Sequence, residues 1–196
     1  MPVWWKQDQP PGPGERLVLI GASGGVGSAA AQIAKKIGAE VIGVDRRMPN
    51  ADLPIRSIAK QLIVDAPDLL KAVRAATGGS GADVVFDTVG GVMFGAALSC
   101  LGWRGRLIEI SATGGRKVCF DLADFYHNES RLAGVDTLKR DLTASASVLE
   151  TLAPGFEAGD YRPAPLAEVL PLTAAREGYR RVAEGVRGRI VIDPTA

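Results

Sequence analysis

The stretch from Arg16 to Arg47, RLVLIGASGGVGSAAAQIAKKIGAEVIGVDRR, constrains the fold more than any other. Leu17 to Ile20 is a short continuous apolar run, the pattern of a strand buried on both faces, and glycines follow it at once. Gly24 and Gly25 leave room for a pyrophosphate to approach the backbone, and Gly27 allows a helix to pack closely on the strand. The spacing of Val26, Ala30, Ile33, Ala34 and Ile37 predicts one buried stripe on that helix, and Lys35 and Lys36 suit the negative end of its dipole. Val41 to Val44 is a second strand. Asp45 stands at its end, 18 residues after Gly27, where an acidic side chain can accept both hydroxyls of an adenosine ribose. Strand, glycine turn, helix, strand and terminal acid together make a βαβ dinucleotide-binding signature. The helix N-terminus, with the N–H groups of Gly24, Gly25 and Val26, is expected to face the phosphates. A ligand-free βα turn would leave Asp45 and the spare glycine without a purpose.

A chain of 196 residues supports one full domain with a sizeable core. With 46% hydrophobic residues and a formal net charge of +1, it offers no electrostatic case for nucleic acid or a membrane surface. Cys100, Cys119 and the single histidine, His127, are too few for a Cys/His metal site of ordinary ligand count, so no metal is expected. No apolar run reaches the roughly 18 residues that span a bilayer, and Met1 to Gln9 lacks the pattern of a signal peptide, so the expected compartment is the cytoplasm.

Residues 1–14, with Pro10, Pro11 and Pro13, read as an irregular arm, and 15–196 as the nucleotide-binding domain. Trp4 and Trp5 are expected to face a neighbouring domain. Pro49 and Pro54 shorten the crossover to a third strand at Leu62 to Val64. A helix over Asp68 to Thr77 follows, with Leu69, Leu70 and Val73 inward, then a strand at Asp83 to Thr88, a helix at Met93 to Leu101 and a strand at Arg106 to Ile110. Leu122 to Glu129 is a short helix and Leu132 to Asp136 a sixth strand. Leu142, Ala146, Leu149, Leu152 and Phe156 mark a further amphipathic helix, Leu172 to Glu184 another, and Arg189 to Ile192 a last strand. The alternation predicts an α/β fold: a Rossmann-type doubly wound parallel sheet, strand order 3-2-1-4-5-6, with helices on both faces.

GASGGVG at Gly21 to Gly27, GADVVFDTVGG at Gly81 to Gly91, GRLIEIS at Gly105 to Ser111 and GRIVI at Gly188 to Ile192, in that order, resemble the cofactor domain of the medium-chain dehydrogenase/reductase family. The turn AxGGVG, matched by Ala22 to Gly27, is similar to that of its zinc-independent quinone oxidoreductase and enoyl reductase branch. The resemblance covers the chain from Gly14 onward. Family members carry a GroES-like catalytic domain ahead of the nucleotide domain, and nothing here corresponds to it. The resemblance therefore implies a missing catalytic domain and an isolated chain of little or no activity. The zinc-dependent alcohol dehydrogenase branch has a similar cofactor domain and stays open as an alternative, since its metal ligands lie in that other half. Short-chain dehydrogenases share the glycine spacing but need Tyr-x-x-x-Lys, and Tyr126, Tyr161 and Tyr179 are followed four on by Ser130, Pro165 and Ala183.

The resemblance implies NAD or NADP lying across the C-terminal edge of the sheet. Ala22, Ser23, Gly24, Gly25 and Val26 would cradle the pyrophosphate, and Asp45, Arg46 and Arg47 the adenosine ribose. Thr88, Val89, Ile110 and Ser111 would line the nicotinamide end. Asp45 favours NAD, while Arg46 and Arg47 leave NADP open. The expected activity is hydride transfer between NAD(P)H and a small-molecule quinone, enone or other activated double bond. The alternatives are a non-catalytic nucleotide-binding module and a half-enzyme completed by another chain. No residue is assigned a catalytic role; Tyr126 and His127 read as packing or surface groups, and Asp87 as tied to backbone donors. The resemblance also implies a homodimer through the sixth strand.

Overall fold

The structure is a computed structural model and describes residues 10–136, 138, 140–186 and 188–196. Trp4 and Trp5 lie outside the described residues. The strands β1 (Arg16–Ile20), β2 (Glu40–Asp45), β3 (Gln61–Val64), β4 (Ala82–Asp87), β5 (Leu101–Glu109) and β6 (Arg131–Gly134) form one parallel sheet in the order β3-β2-β1-β4-β5-β6. This is the expected order. The helices are α1 (Gly25–Ile37), α2 (Ile55–Ile58), α3 (Leu69–Ala76), α4 (Phe94–Ser99), α5 (Leu122–His127) and α6 (Leu142–Glu157).

Successive side chains of a strand point to opposite faces, so a sheet covered on both sides builds two cores. Leu17 and Leu19 of β1 pack with Ala30 and Ala34 of α1 and Ile55 of α2, while Val18 and Ile20 pack with Leu69 and Val73 of α3 and Phe94 and Ala97 of α4. Helices therefore cover both faces. At the N-terminal edge Arg16 donates to Asp83 through its backbone N–H at 2.8 Å and through a guanidinium fork at 2.8 and 3.0 Å, clamping β1 to β4. Burial pushes the Asp83 carboxyl up, but the Arg16 bonds outweigh it and hold the group below its ordinary range.

Several details differ from the sequence reading. Val26 is 45% exposed, because it sits in the first turn of α1, where the helix projects beyond the strand ends. Gly27, Ser28 and Ala31 are buried instead. Leu70 of α3 is exposed while Leu69 and Val73 are buried, with Asp68 capping the helix by accepting from the Lys71 N–H at 2.9 Å. On α6 the face that packs carries Val148 and Gly155, the latter covered by the Tyr161 ring, while Leu142 and Leu149 are 90% and 67% exposed. The two prolines do shorten the β2 to β3 crossover, leaving a helix of only four residues.

The chain divides into two compact units, the second being Arg162–Ala196. That unit holds β7 (Leu166–Pro171), α7 (Ala175–Ala183) and β8 (Arg189–Asp193), with β7 and β8 paired in parallel as a separate two-stranded sheet. Gly178 of α7 lies against Leu170 and Ile190. The sequence reading named the helix and the last strand here and missed β7.

Candidate functional site

The C-terminal ends of β1, β2, β3 and β4 open on a cavity of about 620 Å³. Its floor is the turn after β1. Gly21 adopts φ +75°, and a Cβ there would fall 2.3 Å from Thr88 Oγ1. A Cβ on Gly27 would fall 2.3 Å from the Gly21 carbonyl oxygen, which explains how α1 starts so close beneath the turn. Gly24 is the N-cap of α1, Gly25 its first residue, and both are exposed together with Val26.

The N–H groups of this turn are not all available to a phosphate. Gly24 donates to the Gly21 carbonyl at 3.0 Å, and Ser23 to Asp45 Oδ2 at 2.7 Å. The expected role of the Gly24 N–H thus passes along the helix to Gly25 and Val26, which by position have no intrahelical acceptor. The bond from Ser23 also changes the reading of Asp45, since one carboxylate oxygen already anchors the glycine turn. Burial pushes the Asp45 carboxyl up, while the Ser23 hydrogen bonds and the Arg46 charge pull the other way and leave the group raised overall.

Of the residues expected to form the site, Ser23, Gly24, Asp45, Arg46, Thr88 and Val89 line the cavity. Ala22 is fully buried beneath it, and Gly25, Val26 and Arg47 are exposed outside its lining. Ile110 packs into the core on the α1 side, and the Ser111 hydroxyl accepts from the Thr113 N–H at 3.2 Å, so the loop reaches the cavity through Thr113 and Gly114 instead. The Thr88 hydroxyl donates to the Ile20 carbonyl at 2.8 Å and ties β4 to β1, which accounts for the threonine whether or not a ligand is near. Sequence reasoning also missed Asp65, Ala66 and Leu69 on the β3 side and Val92 and Met93 after β4. Asp65 carried a weak signal, an acid one residue past a strand end, where it takes φ +49°.

Asp87 is fully buried at the end of β4, and its Oδ1 accepts from the N–H groups of Val89 at 2.8 Å and Gly90 at 3.0 Å. The Tyr126 and His127 rings on α5 lie 4.4 Å apart between centroids, tilted by 42°, outside the cavity lining.

A dinucleotide fits these residues. The cavity is lined by the glycine turn, Asp45 and the β4 end, the exposed first turn of α1 beside it offers the Gly25 and Val26 N–H donors, and Asp45 has a second oxygen for a hydroxyl. Zinc does not fit: Cys100 is buried, Cys119 is exposed, and no three His, Cys, Asp or Glu side chains converge among the described residues. No helix among the described residues is long and apolar enough to cross a membrane.

The sequence profile described as zinc-binding dehydrogenase matches residues 25–152. A zinc-type alcohol dehydrogenase-like protein of Schizosaccharomyces pombe is 33% identical over 149 residues, which are 74% of this chain and 42% of that protein. Quinone oxidoreductase 1 of Escherichia coli is 30% identical over 147 residues, 71% of this chain and 45% of that protein. The solved structure of an NAD-dependent alcohol dehydrogenase superposes with a TM-score of 0.76 at 30% identity, over 93% of this chain and 52% of that one. The chain thus spans less than half the length of these two curated relatives.

Proposed function

Since the chain belongs to the zinc-binding dehydrogenase family, as the cofactor-binding domain of a medium-chain dehydrogenase/reductase, we propose that it binds NAD(P)H for hydride transfer to a quinone, enone or other activated double bond. One observation carries this reading. The cavity is lined by the glycine turn and Asp45 together with Thr88, Val89 and Thr113, residues from the C-terminal ends of several strands, where a dinucleotide binds a sheet of this order. The nicotinamide supplies the hydride, and the protein orients and shields it. The first turn of α1 binds the pyrophosphate through the Gly25 and Val26 N–H groups. Asp45 accepts from the adenosine ribose with the oxygen that Ser23 does not occupy. Val89 and Thr113 shape the wall where the nicotinamide lies.

The quinone or enone acceptor is favoured because the Escherichia coli relative is a quinone oxidoreductase. The Schizosaccharomyces pombe relative supports a second reading, the cofactor domain of a zinc-type alcohol dehydrogenase. In either reading the substrate-binding walls belong to a further domain. A homodimer through β6 is part of the proposal, since β6 is the end strand of its sheet.

The test is calorimetric titration of NADH and NADPH into the full chain and into Gly25→Val. Gly25 is exposed at the first helical position, so the variant keeps the fold by circular dichroism while its side chain covers the phosphate donors. Binding by the wild type and its loss in the variant are expected. Equal affinity in a folded variant removes the turn from the site, and a wild type that binds neither dinucleotide refutes the proposal.

A further inference from the structure

Asp87 and Glu109 end neighbouring strands and stand opposite each other in the β4 to β5 register. Side chains in register on parallel strands leave the sheet on the same face, with strands about 4.8 Å apart. Asp87 is fully buried, and its Oδ2 and the Oε1 of Glu109 are both buried without an N–H or O–H donor among the described residues. Register places the two carboxyls side by side on that face. Two carboxylates cannot bond to one another, and two adjacent negative charges withdrawn from water repel strongly. One proton placed between them satisfies both orphaned oxygens at once.

We propose that Asp87 and Glu109 hold a single proton between them, Glu109 donating to Asp87, and that this pair positions the nicotinamide-side wall of the cleft. The positioning half rests on the dinucleotide reading given above. Asp87 uses its other oxygen to hold the N–H groups of Val89 and Gly90. The Val89 carbonyl in turn accepts from the Gly114 N–H at 2.9 Å and from Thr113 Oγ1 at 3.1 Å, and the Gly114 carbonyl accepts from the Val92 N–H at 3.2 Å. Val89, Val92, Thr113 and Gly114 line the cavity. A chain of hydrogen bonds therefore runs from the buried pair to the cleft surface.

Glu109 is the member that keeps the proton. Burial pushes its carboxyl up to about 7, with the Asp87 charge and the hydrogen bond to Asp87 acting in the same direction. From β4 the charged group facing it is Asp87. From β6 the residue opposite is Gly134, and the Glu109 carbonyl accepts from the Val135 N–H at 2.8 Å. The charge acting on Glu109 is that of Asp87. Loss of the shared proton leaves two charges face to face and pushes Asp87 off the turn it holds.

The experiment is an NMR pH titration of the full chain, following the Glu109 carboxyl carbon and the Val89 and Gly90 amides, with NADH affinity measured over the same range. In the wild type, Glu109 titrates near 7 and both amides shift with the same midpoint. NADH binding weakens several-fold across that interval. Glu109→Gln keeps a donor to Asp87 but cannot ionise, so the amide step vanishes and affinity becomes flat with pH. Asp87→Asn offers an N–H to Glu109 and brings its midpoint down towards the ordinary carboxylate range. A wild-type Glu109 midpoint near 4.5 overturns the shared proton. Amides that ignore the Glu109 step, or a pH dependence of affinity that survives in Glu109→Gln, overturn the positioning role. A chain that binds no NADH at any pH refutes the cleft assignment and the positioning role with it, while the carboxyl titration still decides the pair.

Discussion

At Gly27 one added methyl would meet the Gly21 carbonyl oxygen at 2.3 Å, and a backbone atom cannot rotate aside. Gly27→Ala is expected to lower stability by about 1–3 kcal/mol, as overpacking commonly does, and urea denaturation measures it directly. That constraint was legible in the sequence, because the glycine spacing reflects a backbone approach that local chain geometry dictates. Cofactor choice is also set by single residues. A carboxylate about 4 Å from a 2′-phosphate is repelled by about 4 kcal/mol per unit charge at an effective dielectric near 20, before screening. Arg46, which lines the cavity, opposes this, while Arg47 stands outside the lining. We expect NADH to be preferred about tenfold, a difference of about 1.4 kcal/mol. Asp45→Ser should narrow that preference and Arg46→Ala widen it, read as dissociation constants for both cofactors; tighter NADPH binding by the wild type would reverse the weighting. Glu109 makes a third case. In the fold it keeps its proton up to about 7, whereas an unfolded chain with an ordinary carboxyl releases it near 4.5. The native state binds more protons over that window, so stability falls as pH rises from about 4.5 to 7. Glu15, held low by Arg106, and Asp83, held low by Arg16 against its burial, contribute in the opposite sense and lose their contribution as pH falls through their folded values. Urea midpoints of wild type minus Glu109→Gln should therefore decline between pH 4.5 and 7 and level off above. Nothing in the sequence revealed this pair, since the partner of Glu109 is chosen by strand register across 22 residues.

The order of elements could be read from the alternation of apolar runs with glycine turns, and the shortened crossover from its two prolines. Helix faces were harder. On α6 the stripe through Leu142 and Leu149 and the face carrying Val148 are both apolar, and only packing decides which one is covered. β7 escaped because Pro163 and Pro165 precede it and Glu168 interrupts its apolar run; that charge is met by Arg181 of α7, a partner far along the chain. β6 is the end strand of its sheet. The Val135 N–H is engaged by Glu109, so alternation along the strand turns the Leu132 N–H to the open edge. Leu132→Pro should leave the β5 pairing in place and weaken a β6-mediated dimer about tenfold, a loss of about 1.4 kcal/mol that one or two hydrogen bonds supply. Sedimentation at increasing concentration reads the effect, and a wild type that stays monomeric throughout argues against the dimer.

Taken whole, the chain supplies a cofactor cradle and spans 42% and 45% of two curated relatives. Cradling a dinucleotide fixes the hydride donor in place, but rate enhancement also requires a held acceptor and a proton source. The purified chain should bind NAD(P)H and show little steady-state reduction of a quinone or an enone; brisk turnover by this chain alone would place the substrate walls within it. The fold class was legible at this scale because a doubly covered parallel sheet writes continuous apolar runs into the sequence. The separation of Arg162–Ala196 as its own unit left no such mark. Among the described residues the cavity lining runs from Ile20 to Gly114. Because a ribosome delivers a chain from its N-terminus, the strands that frame the cradle emerge ahead of the last two helices. On the proposed reading, every described residue that lines the nucleotide cleft is therefore synthesised before α6 and α7.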